Sequence, residues 1–596
     1  MTAHEALKTY FGYDNFRPLQ EEIIQSVLDG RDTLALMPTG GGKSLCFQVP
    51  TMAMGGLCLV ITPLIALMKD QVENLRHRDI RAAAIYTGMT YEQQKVALDN
   101  CQWGPYHFLY VSPERLESEE FRERLARLPI CLIAVDEAHC ISQWGYDFRP
   151  SYLKIAEIRE VIRGERRKGE EAMRQAVPIL ALTATATPDV VDDIQERLAF
   201  REKNVLRKSF LRQNLSYVVR QTNKKADEIV HILSKVPDSA IVYVRNRQRA
   251  QELAAYLNEK GLSADFYHAG LTSKERAAKQ EAWRAYPHPL PKGKGVTRVM
   301  VSTNAFGMGI DKPDVRMVIH HDLPDTIEAY FQEAGRAGRD EQRAFAVLLY
   351  DPAQDKAKAR KRVSDNYPPK EFVTDVYHKT CDFLGVGAGS GQGHTFMLPI
   401  NDLCRIMHLP ILQTYSALHL LTQAGYICFQ EEQEIQPRVK ILISQREMNE
   451  YGLSEQQYKL LELLMRKYSG IFTDLQYVHF DQLTTPITNS PSPMANRQSL
   501  DNLLVSLAQR HIITYIPHDT ANTLTFTRER QTDIYLPTTI YDNHRQQYIE
   551  KLKAMVEYAD NQLYCRSQLL LSYFGETDAT TCGTCDVCRQ KTKTQC

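Results

Sequence analysis

The stretch Leu34-Ala35-Leu36-Met37-Pro38-Thr39-Gly40-Gly41-Gly42-Lys43-Ser44 constrains this chain more than any other. A short apolar run that breaks into glycines and ends in Gly-Lys-Ser reads as a buried strand feeding a tight turn and then a helix. The N–H groups exposed in such a turn, with the helix N-terminus behind them, surround phosphate oxygens. Lys43 adds a point charge at the β- and γ-phosphates, and the Ser44 hydroxyl a ligand for Mg2+. Thr39, Gly40, Gly41, Gly42, Lys43 and Ser44 are therefore the expected phosphate-binding set. The pattern's usual glycine six residues before the lysine is Met37 here, so the match is to the core of the motif, with a structural glycine turn as the alternative.

The surroundings favour the nucleotide site. Short apolar runs at 57–61, 82–86, 108–111, 130–135 and 179–182 alternate with longer amphipathic stretches such as 64–75. Strand-helix alternation of this kind builds a largely parallel sheet, whose ligands lie beyond the strand C-termini. A second set of runs, at 240–244, 299–301, 315–319 and 344–349, has no phosphate loop of its own. Two such sheets sharing one loop imply one nucleotide held in a cleft between two domains, 1–205 and 206–350.

Chemistry-bearing groups fall where such a cleft needs them. Asp136-Glu137-Ala138-His139 follows the run 130–135, so Asp136 is placed to hold Mg2+ and Glu137 to orient and deprotonate the attacking water. Thr183 and Thr185 end another run, where small hydroxyls can bond across to this acidic group or to an interdomain partner. The second half supplies Gln332-Glu333-Ala334-Gly335-Arg336-Ala337-Gly338-Arg339; on a helix, arginines three apart face one side, and forks aimed into the cleft would neutralise triphosphate charge. Gln332, Arg336 and Arg339 join Lys43, Asp136 and Glu137 as the catalytic candidates. After the acidic motif, Trp144, Tyr146 and Phe148 sit in a polar loop ending at Arg149: stacking surfaces for unpaired bases, or a hydrophobic plug.

The last third has a different character. A basic run, Lys356 to Arg362, reads as a solvated helix face or a nucleic-acid contact, and 385–393 as a flexible linker. Segments 402–407, 412–423 and 426–429 follow the helix-turn-helix-strand order of a winged helix, with a weaker echo at 500–507, 512–516 and 524–527; residues 484–493 read as a loop. Cys565 with Cys582, Cys585 and Cys588 suits tetrahedral Zn2+, a Cys582–Cys585 redox pair being the alternative. Lys+Arg and Asp+Glu both total 72, so any basic surface must be local, and 43% hydrophobic content supports several cores. With no apolar run of about 18 residues and with His4, Glu5 and Lys8 at the start, the expectation is a soluble cytoplasmic protein with no membrane partner.

Assembled, these residues resemble the RecQ family of ATP-dependent DNA helicases, closely over residues 7–350. Phe11-Gly12-Tyr13 and Phe16-Arg17-Pro18-Leu19-Gln20 look like the family's adenine motif, which implies Gln20 on the adenine edge with Tyr13 and Arg17 around the ring. The block from Asp136 to Pro150 is similar to the joined acidic motif and aromatic-rich loop, implying that Trp144, Phe148 and Arg149 couple DNA to hydrolysis; Arg339 is implied as the arginine finger. The resemblance implies an α/β fold of two tandem RecA-like parallel-sheet motor domains followed by winged-helix-like segments (351–450, with a basic connector, and 451–538) and a helical zinc module (539–596). It further implies ATP, Mg2+ and Zn2+ as cofactors. The implied activity is 3′–5′ translocation on single-stranded DNA and unwinding of duplex or branched DNA in recombination and repair, alongside a single-stranded-DNA-binding or repair protein. An RNA-directed helicase and an ATP-switched nucleic-acid-binding scaffold are the competing functions. One departure stands out: the family's zinc module usually follows the second motor domain directly, whereas here about two hundred residues intervene.

Overall fold

The computed structural model describes residues 1–596 apart from 39, 87–88, 90, 143–148, 167–176, 288–295, 307–311, 436, 445–446, 450, 469, 473–475, 479–496, 511, 517–518 and 596. The chain forms two compact units, Met1–Lys361 with Gln547–Cys596, and Arg362–Gln546.

The first unit contains two parallel sheets. Strands β1 (Thr33–Leu36), β2 (Leu57–Ile61), β3 (Ala82–Ile85), β4 (Phe108–Val111), β5 (Ile130–Val135), β6 (Ile179–Thr183) and β7 (Val205–Arg207) lie in the order β3-β4-β2-β5-β6-β1-β7. Their near-continuous apolar sequences follow from burial on both faces, which helices cover. Period-two alternation sorts the side chains: Leu57, Leu59 and Ile61 enter one core while Cys58 and Val60 enter the other. Strands β8 (Leu215–Gln221), β9 (Ala240–Tyr243), β10 (Ala264–Tyr267), β11 (Val299–Ser302), β12 (Met317–His320) and β13 (Ala344–Tyr350) form the second sheet, ordered β10-β11-β9-β12-β13-β8. The chain crosses from one sheet to the other over residues 208–214.

Beneath the first sheet, at the entry to β1, the Asp32 carboxylate is fully buried and takes both contacts from Arg159 Nη2 at 2.9 Å. It also accepts the backbone N–H groups of Ile179 and Arg201, each at 3.0 Å. One side chain thus ties the start of β1 to β6 and to the segment before β7.

The second unit carries two three-stranded antiparallel sheets. Strands β14 (Thr395–Met397), β15 (Ile427–Ile435), β16 (Arg438–Ile441), β17 (Gln476–Tyr477), β18 (Ile513–Ile516) and β19 (Asp519–Phe526) pair as β14-β19-β15 and β17-β16-β18. With the helices Lys370–Phe383, Ile400–Ile406 and Ile411–Gln423, the first sheet follows the winged-helix order. The second sheet is nested between β15 and β19, so 438–441 pair across residue 450 with 513–516, and the expected winged-helix echo at 512–516 and 524–527 is split between two sheets. Core packing is the reason: Leu524 and Phe526 join Tyr377, Leu418 and Phe429, while Ile513 joins Leu460 and Leu500 in a separate cluster. The stretch 385–393 is not a free linker either, since Gly393 N donates to Phe526 O at 2.8 Å and Arg530 N to Ser390 O at 2.8 Å. Residues 484–493 lie outside the described residues.

The unusual order of modules is one of sequence and not of space. The chain leaves the first unit at Lys361, and on its return the cysteine-bearing segment belongs to the same compact unit as both parallel sheets. Among the described residues no helix is long and apolar enough to cross a membrane.

Candidate active site and metal centre

The phosphate loop stands between β1 and the helix Leu45–Met54, with Gly40 and Gly42 both at positive φ (82° and 79°) as a turn this tight requires. Lys43 and Ser44 immediately precede the helix, and Ser44 occupies the N-cap position without using its side chain as a cap. Two of the residues expected around the adenine hold this loop directly. Gln20 Nε2 donates to Gly42 O at 3.0 Å, Arg17 Nη1 to Gly40 O at 2.9 Å, and Arg17 N to Gln20 Oε1 at 2.9 Å. Tyr13 is half exposed. Thr39 lies outside the described residues.

Asp136 and Glu137 follow the last residue of β5, and Asp136 N donates to Ile61 O at 2.9 Å, which fixes the end of the strand. Glu137 takes the left-handed conformation at φ 48°, ψ 47°. That costs a non-glycine residue roughly 1–2 kcal/mol, a strain that clusters at functional positions. Its surroundings hold it there: Glu137 N donates to Asp136 Oδ1 at 3.0 Å, and Tyr152 Oη donates to Asp136 O at 3.0 Å. The buried His139 ring lies 2.9 Å from Thr183 Oγ1 and 3.4 Å from Glu137 Oε2, so β6 reaches the acidic group through one hydroxyl. Burial and the neighbouring Glu137 carboxylate push the Asp136 carboxyl up, with Lys43 opposing. Burial works against Glu137 too, but Lys43, His139 and Arg336 together hold it below the usual carboxylate range. Glu137 is therefore the ionised member, under charge drawn from both parallel-sheet domains.

The arginines arrive from the second sheet. Gln332 lies on the helix Ile327–Ala334, but that helix ends before Gly335, and Arg336 and Arg339 occupy the turns that follow. The expectation of one helix face is corrected; two glycines within four residues favour leaving the helix over continuing it. Arg336 and Gln332 are both buried. The Arg336 Nε has no acceptor among the described residues, an orphaned buried donor in the cleft. Arg339 crosses to the phosphate loop: a methyl group placed on Gly40 would stand 3.4 Å from Arg339 Cγ. Lys43, Asp136, Glu137, Arg336 and Arg339 thus share one closed cleft.

Arg149 Nη1 donates to Pro63 O at 3.3 Å and lies 3.9 Å from Glu114, while its N–H bonds Cys140 O at 2.8 Å. Trp144 and Phe148, the other two residues given to DNA coupling, lie outside the described residues.

Cys565, Cys582, Cys585 and Cys588 form a cluster whose sulfurs all lie within 4.8 Å of one another. Cys565 Sγ is 3.4 Å from Cys582 Sγ and 4.0 Å from Cys585 Sγ, bracketing the roughly 3.8 Å edge of a tetrahedral zinc-thiolate site. Backbone N–H groups of Cys582, Cys585 and Cys588 point at the sulfurs of Cys565, Cys582 and Cys585 at 3.3–3.4 Å, donors that suit thiolates and not a disulfide. Four converging thiols replace the redox-pair alternative with a zinc-binding cluster.

Sequence reasoning missed two features of this region. The Tyr152 hydroxyl donates to Asp136 O from outside any short motif. Glu576, half-buried, accepts Phe210 N and the Ser209 hydroxyl, each at 2.7 Å, from residues much earlier in the chain.

Family models match three stretches: DEAD/DEAH box helicase over 17–194, helicase conserved C-terminal domain over 224–341, and RecQ zinc-binding over 521–589. The ATP-dependent DNA helicase RecQ of Haemophilus influenzae is 41% identical over 353 residues, covering 59% of this chain and 54% of its own. RecQ of Pasteurella multocida is 40% identical over 353 residues, with 59% and 52% covered. The probable ATP-dependent DNA helicase RecS of Bacillus subtilis is 40% identical over 353 residues, with 58% and 66% covered. The match therefore spans between half and two thirds of these relatives' own length.

Proposed function

From a chain that matches RecQ family ATP-dependent DNA helicases across its paired motor domains and zinc-binding segment, we propose an ATP-driven DNA helicase: hydrolysis in the cleft drives 3′–5′ movement along single-stranded DNA and unwinding of duplex or branched DNA in recombination and repair. The observation that carries this reading is the meeting of two domains on one site, with Arg339 against the phosphate loop and Arg336 among the charges that keep Glu137 ionised.

The roles follow from position. The loop 39–44 holds the triphosphate, with Lys43 on its β- and γ-oxygens. Ser44, with its hydroxyl unspent on capping, and Asp136, at the end of β5, would hold Mg2+, which supplies charge neutralisation at the phosphates. Glu137, ionised beside His139, orients the attacking water and takes its proton. Arg336 and Arg339 offer fixed donors to the charge that develops as the phosphoryl group transfers, with Gln332 beside them. Because these donors belong to the second sheet, hydrolysis requires the closed cleft and the products favour opening, which makes a cycle of movement out of a cycle of chemistry. Tyr13, Arg17 and Gln20 frame the adenine, with Arg17 and Gln20 also bonded to the carbonyls of Gly40 and Gly42.

Trp144 and Phe148 stack on unpaired bases, and Arg149, anchored on Pro63 O near Glu114, joins that loop to the segment beyond the end of β2. The cytoplasm, and a single-stranded-DNA-binding or repair protein as partner, complete the reading. Steady-state ATP hydrolysis with single-stranded DNA, single-stranded RNA or neither tests it, with strand displacement on 3′-tailed and 5′-tailed duplexes. DNA-stimulated turnover and displacement from the 3′ tail are expected. Stimulation by RNA alone would move the chain to the RNA-directed class, and turnover indifferent to both would leave an ATP-switched scaffold.

A further inference from the structure

Phe574-Gly575-Glu576 touches three parts of the motor at once. The Phe574 ring, fully buried, has its centroid 5.2 Å from that of Phe210 and 5.0 Å from that of Phe331. Phe210 lies in the crossing between the two sheets, and Phe331 on the helix that runs into Arg336 and Arg339. The two carboxylate oxygens of Glu576 accept Phe210 N and the Ser209 hydroxyl, each at 2.7 Å, so the crossing is held by backbone and side chain together. Gly575 sits at φ +84°, where a side chain is strained, and a Cβ there would stand 3.0 Å from Pro188 Cγ. Pro188 opens the helix Pro188–Arg197, immediately after the 183–187 segment whose Thr183 bonds His139.

The metal cluster fixes this tripod. Cys565 and Cys585 are followed by Arg566 and Asp586, which pair at 3.0 Å, and Asp586 Oδ2 accepts Val219 N of β8 at 3.1 Å. From Arg566 the helix Arg566–Tyr573 leads into Phe574. The helix Ile327–Ala334, which leads into the arginines, also takes Tyr558 on Tyr330, with ring centroids 5.3 Å apart, and Lys551 on Glu328 at 3.4 Å.

We propose that Phe574-Gly575-Glu576 is the positioning element of the ATPase: seated on the zinc-binding cluster, it fixes the inter-sheet crossing and the helix that leads into Arg336 and Arg339 in the closed arrangement, so that it sets turnover without touching nucleotide. The inference rests on the ATPase reading above and goes beyond it. An arginine shifted by about 1 Å can lose on the order of 100-fold in rate while binding is spared.

The test is made on the full chain with zinc loaded. Glu576→Ala should lower kcat for DNA-stimulated hydrolysis at least about 10-fold while leaving KM for ATP, binding of a fluorescent non-hydrolysable ATP analogue and zinc content unchanged. Glu576→Gln, whose amide oxygen still accepts Phe210 N, should recover most of kcat. In the Arg339→Ala background, Glu576→Ala should add no further loss, because the two act through one group. A folded Glu576→Ala protein with wild-type kcat, a rise in KM at constant kcat, or losses that multiply with those of Arg339→Ala would each overturn the proposal. Should Glu576→Ala fail to fold, Ser209→Ala, which deletes one of the two bonds at an exposed hydroxyl, is read by the same kcat-against-KM criterion. Wild-type protein without any DNA-stimulated turnover would instead reject the ATPase reading itself.

Discussion

Asp32→Ala removes the carboxylate on which the start of β1, the neck of the phosphate loop, is anchored. In the native protein this group is fully buried and meets Arg159, itself 2% exposed, through two contacts at 2.9 Å, with N–H groups of Ile179 and Arg201 at 3.0 Å. Deleting it strands the Arg159 guanidinium in the interior, and breaking a buried pair from one side costs about 3–5 kcal/mol. Arg201 is partly exposed and can turn to water, so its contribution to the loss is small. For a domain of about 200 residues this corresponds to a melting shift of roughly 6–20 °C. The assay is thermal unfolding followed through the transition that a non-hydrolysable ATP analogue raises, which marks the nucleotide-binding domain. Asp32→Ala with Arg159→Met, an apolar replacement for the pair, should recover much of the shift. The acid limb offers a second reading. Burial alone would raise the Asp32 carboxyl, but hydrogen bonds from Arg201 and Ile179 and the charge of Arg159 hold it below its ordinary value. A carboxyl depressed by folding stabilises above its unfolded pKa of about 3.9 and loses that stabilisation as pH falls through its folded value. Wild-type stability should therefore drop below about pH 4 more steeply than that of Asp32→Ala. A shift under about 3 °C at neutral pH, or parallel acid limbs, would refute the reasoning.

Lys43→Ala should weaken binding of a fluorescent ATP analogue, whereas Glu137→Gln should keep binding and lose about 10²–10⁴-fold in hydrolysis; equal loss of affinity in both would dissolve that division of roles. Arg339→Ala should bind ATP and hydrolyse it about 10³-fold more slowly, and normal DNA-stimulated turnover in that variant would remove it from the active site. Cys585→Ser should abolish the single zinc equivalent measured by atomic absorption and lower the melting temperature, since so small a module has little core beyond its metal; unchanged zinc content would reject the cluster as its site. Trp144→Ala and Phe148→Ala should preserve ATP binding and lose stimulation by single-stranded DNA, each stacked base contributing about 1–3 kcal/mol; undiminished maximal stimulation in folded variants would end the coupling role.

Much of the motor could be read from the chain because parallel strands announce themselves locally. The run at 57–61 is β2 to the residue, and 108–111 and 130–135 are β4 and β5, since burial on both faces leaves apolar blocks bounded by polar turns. Lys43 and Glu137 could be named for the same reason: a phosphate loop and an acidic strand end are short patterns. What stayed hidden is long-range. Asp32 reads as part of a Gly30-Arg31-Asp32 turn, yet its partners lie 127, 147 and 169 residues away. Arg336 and Arg339 were visible as a pair, but their spacing suggested a helix that Gly335 and Gly338 end. In the second unit, Ile513–Ile516 and Asp519–Phe526 look like the arms of one hairpin, and only their separate cores assign them to different sheets.

The interruption of the motor unit between Lys361 and Gln547 also has a consequence in time. Chains emerge from the ribosome in order, at about 5–20 residues per second. The second sheet is complete once Tyr350 of β13 has emerged, yet Phe574 follows about 220 residues later, an interval of roughly 11–45 s at those rates. For that interval Phe210, Tyr330 and Phe331, each no more than 5% exposed in the finished molecule, lack the residues that cover them. The nascent motor thus carries a bare aromatic face while an entire second unit is synthesised and folds. During those seconds its demand is for a chaperone, and its arginines have no settled place from which to act.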